Sequence, residues 1–170
     1  MTRILAIDPG NVQSAWVVYE RFAWEKRGKV LELGLEPNET VLYVVKAGTG
    51  ADICLIEQVR SFGMAVGQTV FDTIWWAGRF AQARVDARGQ YEMVPRMAVK
   101  TALCHDSRAK DANIRQALID RFGPSRQQAM GTKKSPGPLY GVKKDIWSAL
   151  AIAVAWSDER VGAARIQRGG

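Results

Sequence analysis

Three carboxylates stand at the ends of apolar runs. Asp8 closes the run Ile4, Leu5, Ala6, Ile7; Glu57 closes Ile53, Cys54, Leu55, Ile56; and Asp145 opens a long apolar stretch beginning Ile146, Trp147. Each lies at the rim of a core segment, where an unpartnered carboxylate is costly to bury. Either lysines and arginines neutralise such groups or a divalent cation does. If the three converge they form a hard, all-oxygen donor set of the kind Mg²⁺ or Mn²⁺ prefers. Two such ions about 4 Å apart serve phosphoryl transfer, one activating water and the other stabilising the leaving oxygen. For any one of these carboxylates taken alone, a helix cap or a surface ion pair is the better explanation; the three together at core-segment ends favour the cation. Two cysteines, Cys54 and Cys104, and one histidine, His105, cannot assemble a zinc cage. Their apolar neighbours mark both thiols as buried and reduced.

The elements that must position these groups are legible from periodicity and breakers. Arg3 to Asp8 reads as a buried strand stopped by Pro9 and Gly10, and Ser14 to Tyr19 as a second strand that pairs antiparallel with it. Val30 to Leu35 supplies a third strand, and Glu39 to Ala47 a helix. Ile53 to Ile56 is a strand that delivers Glu57. Ala65 to Arg88 keeps helical periodicity through Val66, Val70, Ile74, Ala77, Ala81 and Val85, and its aromatics Phe71, Trp75, Trp76 and Phe80 read as mostly core. Trp75 and Trp76 are adjacent and cannot face one side, so one face is expected on the sheet and the other on a second subunit. Tyr91 to Val94 is the last strand. Helices follow at Ala98 to Cys104, Asp111 to Phe122 and Asp145 to Ser157. The expected fold is α/β, a mixed sheet with helices on both faces. Strands one and four can be neighbours in such a sheet, and the closing helix can bring Asp145 to the same point as Asp8 and Glu57.

The 170 residues, 47% of them apolar, suit one domain with a real core, expected over residues 1–158, with residues 159–170 a frayed basic tail. No apolar run approaches the ~18 to 20 residues that span a bilayer, and no secretory signal follows Met1, so a cytoplasmic protein without a membrane partner is expected. The net charge of +7 is uneven. Through Val94 there are 10 basic and 11 acidic residues, whereas from Pro95 onward there are 14 basic and 6 acidic. Arg121 to Lys144 holds six basic residues and no acidic one among several Gly and Pro, which reads as a mobile basic loop. It is either a solvated loop or a phosphate-binding one.

Together, Ile7, Asp8, Pro9, Gly10, the later Ile56, Glu57, Gln58, Val59, and the closing Asp145 to Ala153 run resemble the RuvC family of Holliday-junction resolvases in order and spacing. The resemblance extends over most of the chain. Val99, Lys100, Thr101 and the Lys110 to Leu118 helix look like the family's basic segment, and the insert Arg126 to Lys144 is more similar to the phage-encoded branch. The resemblance implies an RNase H-like fold with a five-stranded sheet, a homodimer, and cleavage of four-way DNA junctions with two Mg²⁺ ions, Mn²⁺ being an alternative. It makes Asp8 a ligand shared by both ions, Glu57 a ligand of one and Asp145 of the other. Lys100 matches a basic position near the scissile region. The second such lysine is displaced by one, to Lys110, with Asp111 at the register position. Phe62, or else Met64, is the candidate for the apolar side chain that enters the junction centre; a core aromatic is the other reading of Phe62. Lys143 and Lys144, beside Asp145, either hold the scissile phosphate or neutralise the carboxylates, and Lys133 and Lys134 are expected on the DNA path. The chain departs from the pattern at Ser148, where bacterial members carry a second acid.

The leading expectation is a metal-dependent, structure-selective DNA endonuclease acting on branched DNA. Two others stand beside it: a junction-binding protein that no longer cuts, and an RNase H-fold nuclease for RNA or unbranched DNA.

Overall fold

The structure is a computed structural model that describes residues 1–25, 27–60, 63 and 65–168, with side chains described as far as Arg160. The first two strands form the expected hairpin. β1 (Thr2–Asp8) pairs antiparallel with β2 (Gln13–Arg21), and β2 in turn pairs antiparallel with β3 (Lys29–Pro37). The chain then crosses over through helix α1 (Asn38–Ala47) and a single 3-10 turn (Gly48–Gly50) to β4 (Ile53–Gln58), which lies parallel to β1 with Ile7 beside Ile56. Helix α2 (Gln68–Asp86) leads to β5 (Gln90–Pro95), parallel to β4, and completes a mixed sheet of order β3-β2-β1-β4-β5. Helices α3 (Arg96–Cys104), α4 (Asp111–Phe122), α5 (Arg126–Met130) and α6 (Ile146–Arg168) follow. The expected five-stranded α/β architecture with helices on both faces is thus the observed one. No helix among the described residues is long and apolar enough to cross a membrane.

Strand alternation divides the core. Ile4 and Ala6 of β1, Ala15, Val17 and Tyr19 of β2 and Leu55 of β4 point to the face covered by α3, α4 and α6. Leu5, Ile7, Val18, Cys54 and Ile56 point to the opposite face, beneath Val41 and Val45 of α1 and Ala77, Phe80 and Ala83 of α2. Apart from half-buried Ser148, helix α6 is buried from Ile146 through Ala155, and its alanines at 149, 151, 153 and 155 let its backbone lie close against β1 and β2. An almost wholly apolar helix is the expected solution for an element enclosed on most sides. It continues to Arg168, into the stretch the sequence marks as a tail.

Three expectations need correction. The aromatic helix is shorter than read, and most of its aromatic surface is not core: Phe80 is fully buried and Trp76 half-buried, but Phe71 and Trp75 are 55% and 59% exposed, and Ile74 and Val85 also face outward. The helix carries two apolar stripes, and the one with small Ala77 and Ala83 beside Phe80 closes on the sheet. The Arg121 to Lys144 segment is not a free loop. Ser125 caps α5 by accepting a hydrogen bond from the Gln128 N–H, Gly131 bridges to Pro136, and Ala129, Leu139 and Val142 are buried in the main core. Finally, Cys104 is half-buried, while Cys54 is fully buried; both are free thiols, and burial pushes Cys54 up to about 12.

Candidate active site

The two strand-borne carboxylates meet because of register. Asp8 and Glu57 each lie one residue beyond the Ile7 and Ile56 pair on neighbouring parallel strands, and by alternation both share the face of Ala6 and Leu55, the face α6 covers. Asp145 directly precedes α6, and its carbonyl accepts hydrogen bonds from the N–H groups of Ser148 (2.9 Å) and Ala149 (3.2 Å). One end of the sheet and the start of one helix thus gather all three candidates.

The turn that follows Asp8 is tied down from within. Asn38 Nδ2 donates to the Gly10 carbonyl (2.9 Å), Ser14 Oγ donates to Asn38 Oδ1 (2.6 Å), and the Gly10 N–H donates to Ser14 Oγ (3.1 Å). Ser14 and Asn38 are almost completely buried. Gly10 is required there, since a Cβ would lie 2.2 Å from the Gln13 carbonyl oxygen. Buried polar groups that satisfy one another fix a single geometry, and here they fix the chain just beyond Asp8. The sequence reading missed this cluster; its signal is a serine and an asparagine bracketing a Pro-Gly turn in otherwise apolar surroundings.

The electrostatics are those of a crowded acidic site. Burial, with repulsion from Glu57 and Asp145, raises Asp8 to about 7, against the opposing effects of Arg96 and the Ser148 side chain. Burial also raises Glu57, although Arg96 and Lys100 act in the opposite direction. Arg96 is the residue the sequence did not single out. Its Nη1 reaches both Glu57 oxygens (3.2 and 3.1 Å) and its Nη2 reaches Asp111 Oδ1 (2.6 Å). Burial would lower this guanidinium, but Glu57 and Asp111 hold it above its usual range.

An all-oxygen set with a carboxyl raised by burial and by its acidic neighbours suits a hard cation. Among the described residues, however, no three Asp, Glu, His or Cys side chains draw close enough to enclose an ion by themselves. Beside the carboxylates lies a cavity of about 160 Å³ lined by Arg96, Asp111, Arg115, Lys144, Asp145, Trp147 and Ser148, with the Arg115 guanidinium 5.6 Å from the Trp147 ring centre. A larger cleft of about 780 Å³ starts at Glu57 and Arg96 and follows α3 toward Asp158.

The remaining candidates distribute as follows. Lys100 is half-buried on α3, close enough to act on Glu57. Lys143 and Lys144 are exposed, and Lys144, beside Asp145, adopts a left-handed φ of 48°, uncommon for a residue with a side chain. Lys110 is exposed at the start of α4, where its N–H donates to Asn113 Oδ1 (2.9 Å). Lys133 and Lys134 are exposed between Thr132 and Ser135, whose backbone groups bond to each other across the turn (2.9 and 3.1 Å). Phe62 and Met64 lie outside the described residues.

No family model matches the chain, and no curated protein matches it in sequence. Solved structures do match. The Thermus thermophilus RuvC in complex with a Holliday junction substrate superposes with a TM-score of 0.67 at 18% identity, covering 95% of this chain and 97% of the other. The yeast mitochondrial Holliday junction resolvase Ydc2 gives 0.63 at 9% identity, covering 92% and 78%. The fowlpox virus resolvase in complex with junction DNA gives 0.55 at 9% identity, covering 92% and 97%. The chain therefore has the fold of the RuvC-like resolvases over nearly its whole length.

Proposed function

We propose that this protein is a metal-dependent, structure-selective endonuclease that cuts branched DNA, chiefly four-way junctions. The observation that carries the reading is the gathering of Asp8, Glu57 and Asp145 at one end of a resolvase-type sheet, where burial and the neighbouring acids raise Asp8 to about 7. The similar structures of RuvC and of the fowlpox enzyme hold Holliday junction DNA, which makes the junction the first substrate to test.

Asp8 and Asp145, with Glu57, would hold Mg²⁺ or Mn²⁺, which lowers the pKa of bound water and stabilises the leaving oxygen in phosphodiester hydrolysis. The resemblance implies two ions. The residues of the chain do the rest. Asp8, fixed by the tied turn, keeps its carboxylate directed at the site. Lys144, Arg96 and Arg115 face the adjoining cavity and would neutralise an entering phosphate, while Lys100 and Lys143 stand close by. Lys110, Lys133 and Lys134 extend the basic surface along the DNA arms, and Phe62, or Met64, would enter the junction centre.

A two-fold junction calls for two sites acting on opposing strands, and a homodimer supplies them. The outward stripe of α2, with Phe71, Ile74 and Trp75 exposed together, is the surface we assign to it.

The reading of a binder that no longer cuts draws on Ser148 and on the hold of Arg96 on Glu57. One experiment separates the two: a labelled four-way junction is incubated with Mg²⁺ or Mn²⁺ beside an Asp8→Asn control, with linear duplex and RNA as competitors. Nicking of the junction lost in the control is expected. Retained binding without nicking under either metal would overturn the enzyme, and equal cleavage of linear DNA or RNA would overturn the selectivity.

A further inference from the structure

Resting on the nuclease reading above, we propose that Arg96 occupies the second cation position of the site, so that the chain holds one divalent ion, between Asp8 and Asp145, instead of two. The placement of Arg96 begins in the sheet. β5 runs parallel to β4 with Val94 beside Glu57 and Pro95 beside Gln58, so the next residue, the first of α3, stands at the strand end that carries Glu57. From there the guanidinium meets both oxygens of Glu57 with one nitrogen and Asp111 with the other. Glu57 is the more enclosed partner, its side chain 12% exposed against 36% for Arg96. A Mg²⁺ ion bound to Glu57 would need a carboxylate oxygen at about 2.0 to 2.1 Å, in space the guanidinium nitrogen already uses.

Charge gives the same count. A guanidinium stays protonated at any pH at which the protein is folded. With Arg96 paired to Glu57, that carboxylate needs no second divalent ion to offset its charge. Ser148, which stands in the first turn of α6, adds a neutral oxygen and no further acid. The Arg96 charge also lowers Asp8, so its influence extends beyond Glu57. Asp145 and Ser148, on the α6 side of the site, line the cavity of about 160 Å³.

The test counts ions without relying on turnover. Mn²⁺ is titrated into the folded full chain and free Mn²⁺ is read by electron paramagnetic resonance, with the same spectrum recorded on the complex with a four-way junction frozen before turnover. One Mn²⁺ per chain and an isolated-ion signal are expected for the wild type, two per chain and a coupled signal for Arg96→Met, and none for Asp8→Asn. Two ions in the wild type, or no second ion in Arg96→Met, would overturn the inference. Should Arg96→Met not fold by circular dichroism, Arg96→Gln replaces it with the same two-ion expectation, and the wild-type count decides by itself. The two readings fail differently: a wild type that nicks junctions with two coupled ions removes only the role of Arg96, whereas a wild type that binds no Mn²⁺ and nicks nothing removes both.

Discussion

Arg96 Nη1 donates to both oxygens of Glu57, at 3.2 and 3.1 Å, tying the first residue of α3 to the end of β4. The same guanidinium, with Ser148, also lowers Asp8, but burial and two neighbouring acids outweigh them. The site is therefore strained toward protonation, and this strain is measurable.

Unfolded, Asp8 titrates near 3.8; folded, it is raised to about 7. Between these values the folded chain binds more protons than the unfolded one, so this group makes stability fall as pH rises through the window, with the full penalty in place above about 7. The shift corresponds to at most about 4 kcal/mol, and partial solvation of the carboxylate reduces it to roughly 1 to 3 kcal/mol. Asp8→Asn removes the penalty. At pH 8 without added metal, its unfolding midpoint in urea should exceed that of the wild type, and the difference should vanish near pH 4. A variant no more stable than wild type at pH 8 would show that Asp8 is not under this repulsion.

Asn38 tests whether the turn beyond Asp8 is held from within. Asn38→Ala leaves the Ser14 hydroxyl and the Gly10 carbonyl without the partner each has now. Loss of a buried hydrogen-bonded group costs about 1 to 3 kcal/mol. A drop of that size in chemical denaturation is expected, with junction cleavage falling further than junction binding, because the displaced residue is a proposed metal ligand and not a DNA contact. Equal losses in both would mean that Asn38 supports the fold alone.

How much of this was legible in sequence follows from the range of the interactions. The strand-end carboxylates could be read directly, since an apolar run that stops at Asp8 or Glu57 declares its own boundary. The pairing of β1 with β4 could be guessed as allowed. Arg96 could not be read: one arginine after Pro95 says nothing about which strand it will face until β5 is set in register with β4. The same holds for Ser14 and Asn38, which are 24 residues apart and share one hydrogen bond. Helix α2 shows the opposite limit. Its periodicity correctly gives a helix, but two apolar stripes satisfy that periodicity, and only packing against Leu5, Ile7 and Ile56 chooses the stripe of Ala77 and Phe80. In the Arg126 to Lys144 segment, the Gly and Pro content hid Leu139 and Val142, the two residues that anchor it.

The stripe left outside makes a prediction about assembly. Trp75 is 59% exposed, packed edge-on against Trp76 and covered on one side by the Arg79 guanidinium at 4.8 Å. Trp75→Glu places a charge on that surface without entering the core, so the monomer should stay folded. Light scattering after gel filtration should show a dimer for wild type and a monomer for the variant at the same concentration. A dimer that survives the substitution would exclude this face of α2 as the interface.

Lys133 and Lys134 separate DNA affinity from the chemistry of the site. Both are exposed on a turn that is itself fixed, through the Gly131 to Pro136 bridge and buried Leu139, so their charges are presented at a constant place and not on a free loop. Each lysine that neutralises a phosphate releases condensed counterions and contributes about one unit to the slope of log affinity against log salt. The double change Lys133→Ala, Lys134→Ala should therefore flatten that slope by about two and weaken junction binding at low salt, while the number of Mn²⁺ ions bound per chain stays as in wild type. Neither lysine appears among the groups that shift Asp8 or Glu57. A changed ion count would place the turn in the site, and an unchanged salt slope would take it off the DNA path.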